Sequence, residues 1–288
     1  MPAYCLIRLA GATTLLNLAT AFVAFSLFAF SLAHCVETRS WSRSLAMLAV
    51  AFAIALTMEY LGSAHGFVFG SYTYADKLEP KVLNQVPVII PIAWFMMLYP
   101  AWETAGVLVR GFNTESQRSR GIHCFTSVSL LLRVAIAALA MTAWDLSLDP
   151  RMVADGAWVW RNGGAYFGIP LTNFAGWFIT SALIYALWTK LEGKLVMPRL
   201  GEASLQLTGQ NENSARRLLP PLVQHATLPI VAYIVQWLGE SVANAVFWGG
   251  PLLALCVFVG MGTVALPATI LLLRRHALVQ KAVSGVGL

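Results

Sequence analysis

Seven long apolar runs divide this chain, at 13–34, 44–62, 86–109, 122–144, 171–189, 227–248 and 251–273. A helix needs about 20 apolar residues to cross the hydrocarbon core of a bilayer, so each run predicts a transmembrane helix. The last two meet at Gly249-Gly250, which predicts a tight helical hairpin. The fold expected is all-α: a polytopic bundle of about seven membrane helices, with 1–288 as one integral membrane domain.

The polar gaps orient the bundle. With the N-terminus outside and the C-terminus cytoplasmic, thirteen of the nineteen Lys and Arg fall in cytoplasmic gaps and five in outer ones, with Arg133 inside a helix. That excess on one side favours this orientation and predicts a multi-pass protein of the cell inner membrane. The gap at 190–225 is rich in Gly, Asn, Ser and Pro and reads as a flexible cytoplasmic loop without chemistry.

Composition narrows the class further. Hydrophobic residues make up 58% and charged residues 11%, against about 25% charged in soluble domains. The net charge of +6 is spread over short membrane loops, so it orients the protein and does not point to nucleic acid. Cys5, Cys35, Cys124 and Cys256 are far apart, which indicates neither a zinc site nor a disulfide framework. The first apolar run is too long for the core of a signal peptide. No internal repeat is apparent, which weighs against a transporter.

Polar residues collect in three places. The stretch 144–177 carries Asp145, Asp149, Asp155 and four of the ten tryptophans, broken by Gly and Pro. The stretch 59–74 alternates glycines with aromatics behind Glu59. Glycine allows close backbone approach, and aromatic rings offer faces to an apolar or cationic partner. The third, Val86 to Trp94, carries Pro87, suited to a helix start, and Pro91, expected to kink the helix or free a carbonyl. On the predicted topology all three meet at the outer face. Charges within spans are costly and mark function by default. Arg133 is expected to pair with Glu240 or Glu103 as a structural tie. His65 has no second ligand at metal spacing, so no metal is expected.

These residues also carry a resemblance. Glu59-Tyr60-Leu61-Gly62, His65-Gly66 and Phe69-Gly70-x-Tyr72-x-Tyr74 resemble the first signature of the CruF-type carotenoid 1,2-hydratases, as does Val86-Pro87 followed by Pro91-x-x-Trp94. Asp145-x-x-x-Asp149-Pro150-x-Met152, Gly156-x-Trp158-x-Trp160 and Tyr166-Phe167-Gly168-Ile169-Pro170-x-x-Asn173-Phe174-x-Gly176-Trp177 are similar to the second. The resemblance implies a membrane enzyme that adds water across the terminal C1–C2 double bond of an acyclic carotene end. The substrates it suggests are lycopene, γ-carotene and bisanhydrobacterioruberin, taken from the bilayer.

That chemistry needs an acid to protonate C2 and a water to capture the tertiary cation at C1, with no cofactor. The donor must be a carboxylic acid, kept neutral by an apolar site and by a second carboxyl nearby. Asp145 is the leading donor, with Asp149 or Glu59 as its partner or as the base. Asp145 and Asp149 share a helix face if the helix runs through both, which Pro150 disfavours. Tyr72, Tyr74, Trp94, Trp158 and Trp160 would face the cation, Asn173 would hold the water, and Tyr166, Trp177 and His65 would complete the substrate wall. The rivals are a magnesium-dependent prenyltransferase built on Asp145 and Asp149, and a passive carotenoid-binding protein. A retinal pigment is disfavoured because no span contains a lysine.

Overall fold

The computed structural model describes residues 13–120, 127–203, 227–248 and 250–284. Its helices are α1 (Thr13–Arg39), α2 (Trp41–His65), α3 (Ile89–Arg120), α4 (Ser127–Ala154), α5 (Leu171–Ala203), α6 (Leu228–Ala243) and α7 (Gly250–Ser284). A π-helical turn, Asn244–Trp248, extends α6. Each of the seven contains a segment long and apolar enough to cross a membrane, and together they form a polytopic membrane bundle.

α3 is the axis. It packs on α1, α2, α4, α6 and α7, and it is the most buried of the seven spans. Trp94, Phe95, Met97, Leu98, Tyr99 and Trp102 are all buried there. By contrast, α2 buries one stripe: Ser44, Met47, Ala51, Ala55 and Glu59. Those spacings of three and four residues mark a single helix face, which continues through Gly62 and Ser63 and carries one carboxyl group, that of Glu59.

Two prolines sit inside helices near the site, and each frees a carbonyl four residues earlier. Pro100 of α3 frees that of Met96, and the Ser31 hydroxyl of α1 donates to it at 2.9 Å. Pro150 of α4 frees that of Leu146, and the Tyr166 hydroxyl donates to it at 3.0 Å. This hydroxyl, brought in by tertiary structure, lets α4 run on to Ala154. The helix therefore passes through both Asp145 and Asp149.

Several sequence expectations are corrected. Val86–Pro87 is a short strand, and the third helix starts at Ile89. Pro91 lies in the first helical turn, where a missing N–H costs nothing, so Pro100 is the interior proline. Residues up to Ala203 continue α5, so the first part of the expected loop at 190–225 is helical. The rest of that loop, with Cys5, Cys124 and Gly249, lies outside the described residues.

One end of the bundle carries a lid. Strand β1 (Tyr72–Tyr74) pairs antiparallel with β4 (Trp158–Trp160), matching Tyr72 with Trp160 and Tyr74 with Trp158. Strands β2 (Lys81–Val82) and β3 (Val86–Pro87) form a second small pair. Side chains alternate across a strand. In Tyr-Thr-Tyr and Trp-Val-Trp, Thr73 and Val159 point out, while the four aromatics face the bundle.

Candidate active site

Beneath the lid lies a cavity of about 940 Å³, and Glu59, Asp149 and Asn173 line it together with the four lid aromatics, Trp94, Trp144 and Trp177. Its walls come from α1, α2, α3, α4, α5, α6 and the lid. The three sequence stretches expected to converge therefore do so.

Glu59 sits in a cage of donors. The Tyr72 and Tyr74 hydroxyls both donate to Oε2, the latter at 2.6 Å, and Trp94 Nε1 donates to Oε1 at 2.8 Å. A carboxylate offers about four acceptor positions, so one remains, on Oε1. Burial pushes the Tyr72 and Tyr74 phenols well above their ordinary range, and the neighbouring Glu59 charge pushes the same way. Both therefore stay protonated donors at physiological pH. The approach of Tyr72 depends on Gly62. A Cβ at that position would lie 3.0 Å from the Tyr72 ring and 2.8 Å from Phe69.

The second centre is an aspartate pair. Asp145 and Asp149 lie one helical turn apart on α4 and accept from the same side-chain amide. Asn173 Nδ2 donates to Oδ2 of both, at 2.8 Å to Asp145 and 2.5 Å to Asp149. Trp158 Nε1 donates to Asp149 Oδ1 at 3.1 Å. Asp149 lines the cavity, while the fully buried Asp145 stands behind it with Oδ1 unpartnered. Asn173 commits its amide to the pair, so it positions carboxyl groups where the sequence suggested that it holds water. Among the described residues, no ion pair reaches Glu59, Asp145 or Asp149. Three buried carboxyl groups with no cation are expensive, and such an arrangement marks a functional site.

The aromatic wall is ordered by its own contacts. Trp94 and Trp177 stack at 4.1 Å and 11°, and Trp144 meets Trp177 edge-on. Tyr72 lies 5.5 Å from Trp160, and Tyr74 meets Trp158 edge-on at 5.7 Å.

Three sequence assignments move. His65 is exposed and pairs edge-on with Tyr60, away from the cavity lining. Tyr166 also lies outside the lining and serves the carbonyl that Pro150 frees. Of the two ties expected for Arg133, the one to Glu103 forms and the one to Glu240 does not. Glu240 pairs with Arg151 at 3.0 Å and accepts from Ser147 at 2.8 Å. Arg133 pairs with Glu103 at 3.7 Å and lies over the Trp102 ring at 3.8 Å, in space left by Gly106. The reason is distance: Arg133 and Arg151 are about 27 Å apart along α4. Sequence reasoning missed Trp144, the Arg151–Glu240 pair and the contribution of α1 and α6. For α6, the spacing of its cavity residues was the available signal.

Tyr166→Phe separates a structural from a binding role. It leaves the Leu146 carbonyl unpaired, an expected loss of about 1–3 kcal/mol. Thermal unfolding of the purified protein should fall accordingly, with substrate affinity unchanged. A weaker affinity at unchanged stability would return Tyr166 to the substrate wall.

Comparison with known proteins gives two findings. A family model described as carotenoid biosynthesis protein matches residues 12–267. A bisanhydrobacterioruberin hydratase of Haloarcula japonica is 30% identical over 140 residues, covering 47% of this chain and 43% of that protein. The matched region is thus less than half of either chain. No solved structure matches.

Proposed function

The chain belongs to the carotenoid biosynthesis protein family, and from that premise we propose that it hydrates the terminal C1–C2 double bond of an acyclic carotenoid end. The observation that carries the proposal is a group of three buried carboxyls, Glu59, Asp145 and Asp149, which no ion pair reaches among the described residues, set at a cavity walled by aromatic faces. The partial likeness to a bisanhydrobacterioruberin hydratase supports the same reaction class.

In this mechanism Asp149, which faces the cavity, delivers a proton to C2. The π electrons of the C1–C2 bond form the new C–H bond, and a tertiary cation is left at C1. Two carboxyl groups in contact repel when both are charged, so the aspartate pair holds one proton between them, and Asn173 fixes its geometry. The lid tyrosines and tryptophans present π-faces to the cation, at roughly 0.5–2 kcal/mol per ring. A water on the remaining acceptor position of Glu59 attacks C1 and loses its proton to Glu59. That proton returns to the aspartate pair before the next cycle. The products are a tertiary alcohol and an unchanged enzyme, with no net redox change.

The sequence reading had Asp145 as the leading donor. The proposal moves donation to Asp149 and makes Asp145 the partner that shares and replenishes the proton. It also keeps the protein in the cell inner membrane with the lid outside, the orientation favoured by the Lys and Arg distribution.

Expression in a lycopene-accumulating bacterium tests the function. The expected pigment carries one added water and keeps its visible spectrum, because the terminal double bond lies outside the conjugated system. Unaltered lycopene in cells that contain the folded protein would count against the reaction on this substrate, and the same assay on γ-carotene and bisanhydrobacterioruberin would then decide the class.

A further inference from the structure

The cavity does not end at the carboxyl groups; it continues between α1 and α6. From α6 it is lined by Leu228, Val231, Ala232, Val235, Gln236 and Glu240. Steps of three and four residues place these on one helix face, over about 18 Å. A different face of the same helix, with Ile230, Tyr233 and Trp237, is buried. From α1 come Phe22, Val23 and Phe25 among others. Both helices pack on α3.

Several of these wall residues are both cavity-lining and exposed: Phe22 is 72% exposed, Val231 45% and Val235 57%. They lie within segments long and apolar enough to span a membrane, so what they meet outside the protein is hydrocarbon. The face of α6 also grades in polarity, from Leu228 through Val231 and Val235 to Gln236 and then Glu240. Its apolar part leads away from the site and its polar part leads into it.

We infer that the slot between α1 and α6 is a lateral doorway and tail groove, through which a long, linear, apolar chain enters from the bilayer end-first. The reactive end seats among Asp149, Glu59 and the lid aromatics. The rest of the chain lies along the α6 face and extends past Phe22 into lipid. The inference rests on the hydratase reading only for the identity of the occupant.

Cysteine protection tests it. In a parent with the four native cysteines replaced, Phe22→Cys and Val231→Cys are made separately. Leu183→Cys, an exposed position on α5 away from the cavity, is the control. Each is labelled in lipid vesicles by a membrane-permeant maleimide, with and without lycopene. Labelling at 22 and 231 should slow roughly tenfold when lycopene stands at about ten times its Kd, while labelling at 183 stays the same. Unchanged labelling rates at 22 and 231 on adding lycopene overturn the doorway. Turnover by the cysteine-free parent separates the two readings. Protection without hydration keeps the groove and sinks the hydratase. Hydration without protection sinks the groove alone. The absence of both sinks both.

Discussion

Asp149→Asn should reduce turnover by about 10²–10⁴-fold, the usual contribution of a general acid. The substitution keeps the volume and leaves an oxygen to accept from Trp158. Asn173 can rotate to offer its own oxygen to the new amide, so the helix has no reason to unfold. Lycopene binding, read as quenching of tryptophan emission, should persist. Asp145→Asn should cost less, roughly 10–100-fold, because it removes a charge-assisted partner of the donor and not the donor itself. Comparing the two at equal folded content assigns the proton. The reverse order would return donation to Asp145, and wild-type rates in both would remove the pair from the chemistry.

Glu59→Gln should lower hydration by a similar factor of about 10²–10⁴, now through loss of the base. The way it fails should differ. With Asp149 intact the cation still forms; without a base to activate water, it loses a proton and reverts to an alkene. In deuterated solvent this variant should therefore return unhydrated substrate that carries deuterium near the chain end. Asp149→Asn should return substrate without deuterium. Deuterium-free substrate from Glu59→Gln would place Glu59 in the protonation step or in structure alone.

Much of this was legible from residue order. The seven spans follow from hydrophobic length. The inward face of Glu59 was not legible, because α2 is apolar on every side and Ser44, Met47, Ala51 and Ala55 are marked as its inner stripe only by their burial. The alternation of Tyr-Thr-Tyr and Trp-Val-Trp announces two half-buried strands, but the pairing of one with the other does not follow, because nothing local links segments separated by two membrane helices. The continuation of α4 past Asp149 was hidden for a related reason. Pro150 argues for a break, and what offsets it, the Tyr166 hydroxyl on the Leu146 carbonyl, comes from the loop that follows α4 and folds back on it. The partners of Arg133 and Glu240 were likewise set by which helices are neighbours and by depth along α4. The cavity face of α6 was readable as a stripe, yet apolar residues at that depth look the same whether they meet lipid or substrate.

The most direct test of acid-catalysed hydration in this cavity is turnover of lycopene by the purified protein in lipid, in deuterated heavy-oxygen water, with mass and NMR analysis of the product. The account predicts heavy oxygen in a new tertiary hydroxyl at C1, one non-exchangeable deuterium at C2, and no dependence on added magnesium or redox cofactor. A hydroxylated product whose oxygen does not come from the solvent, or whose C2 carries no deuterium, would contradict it.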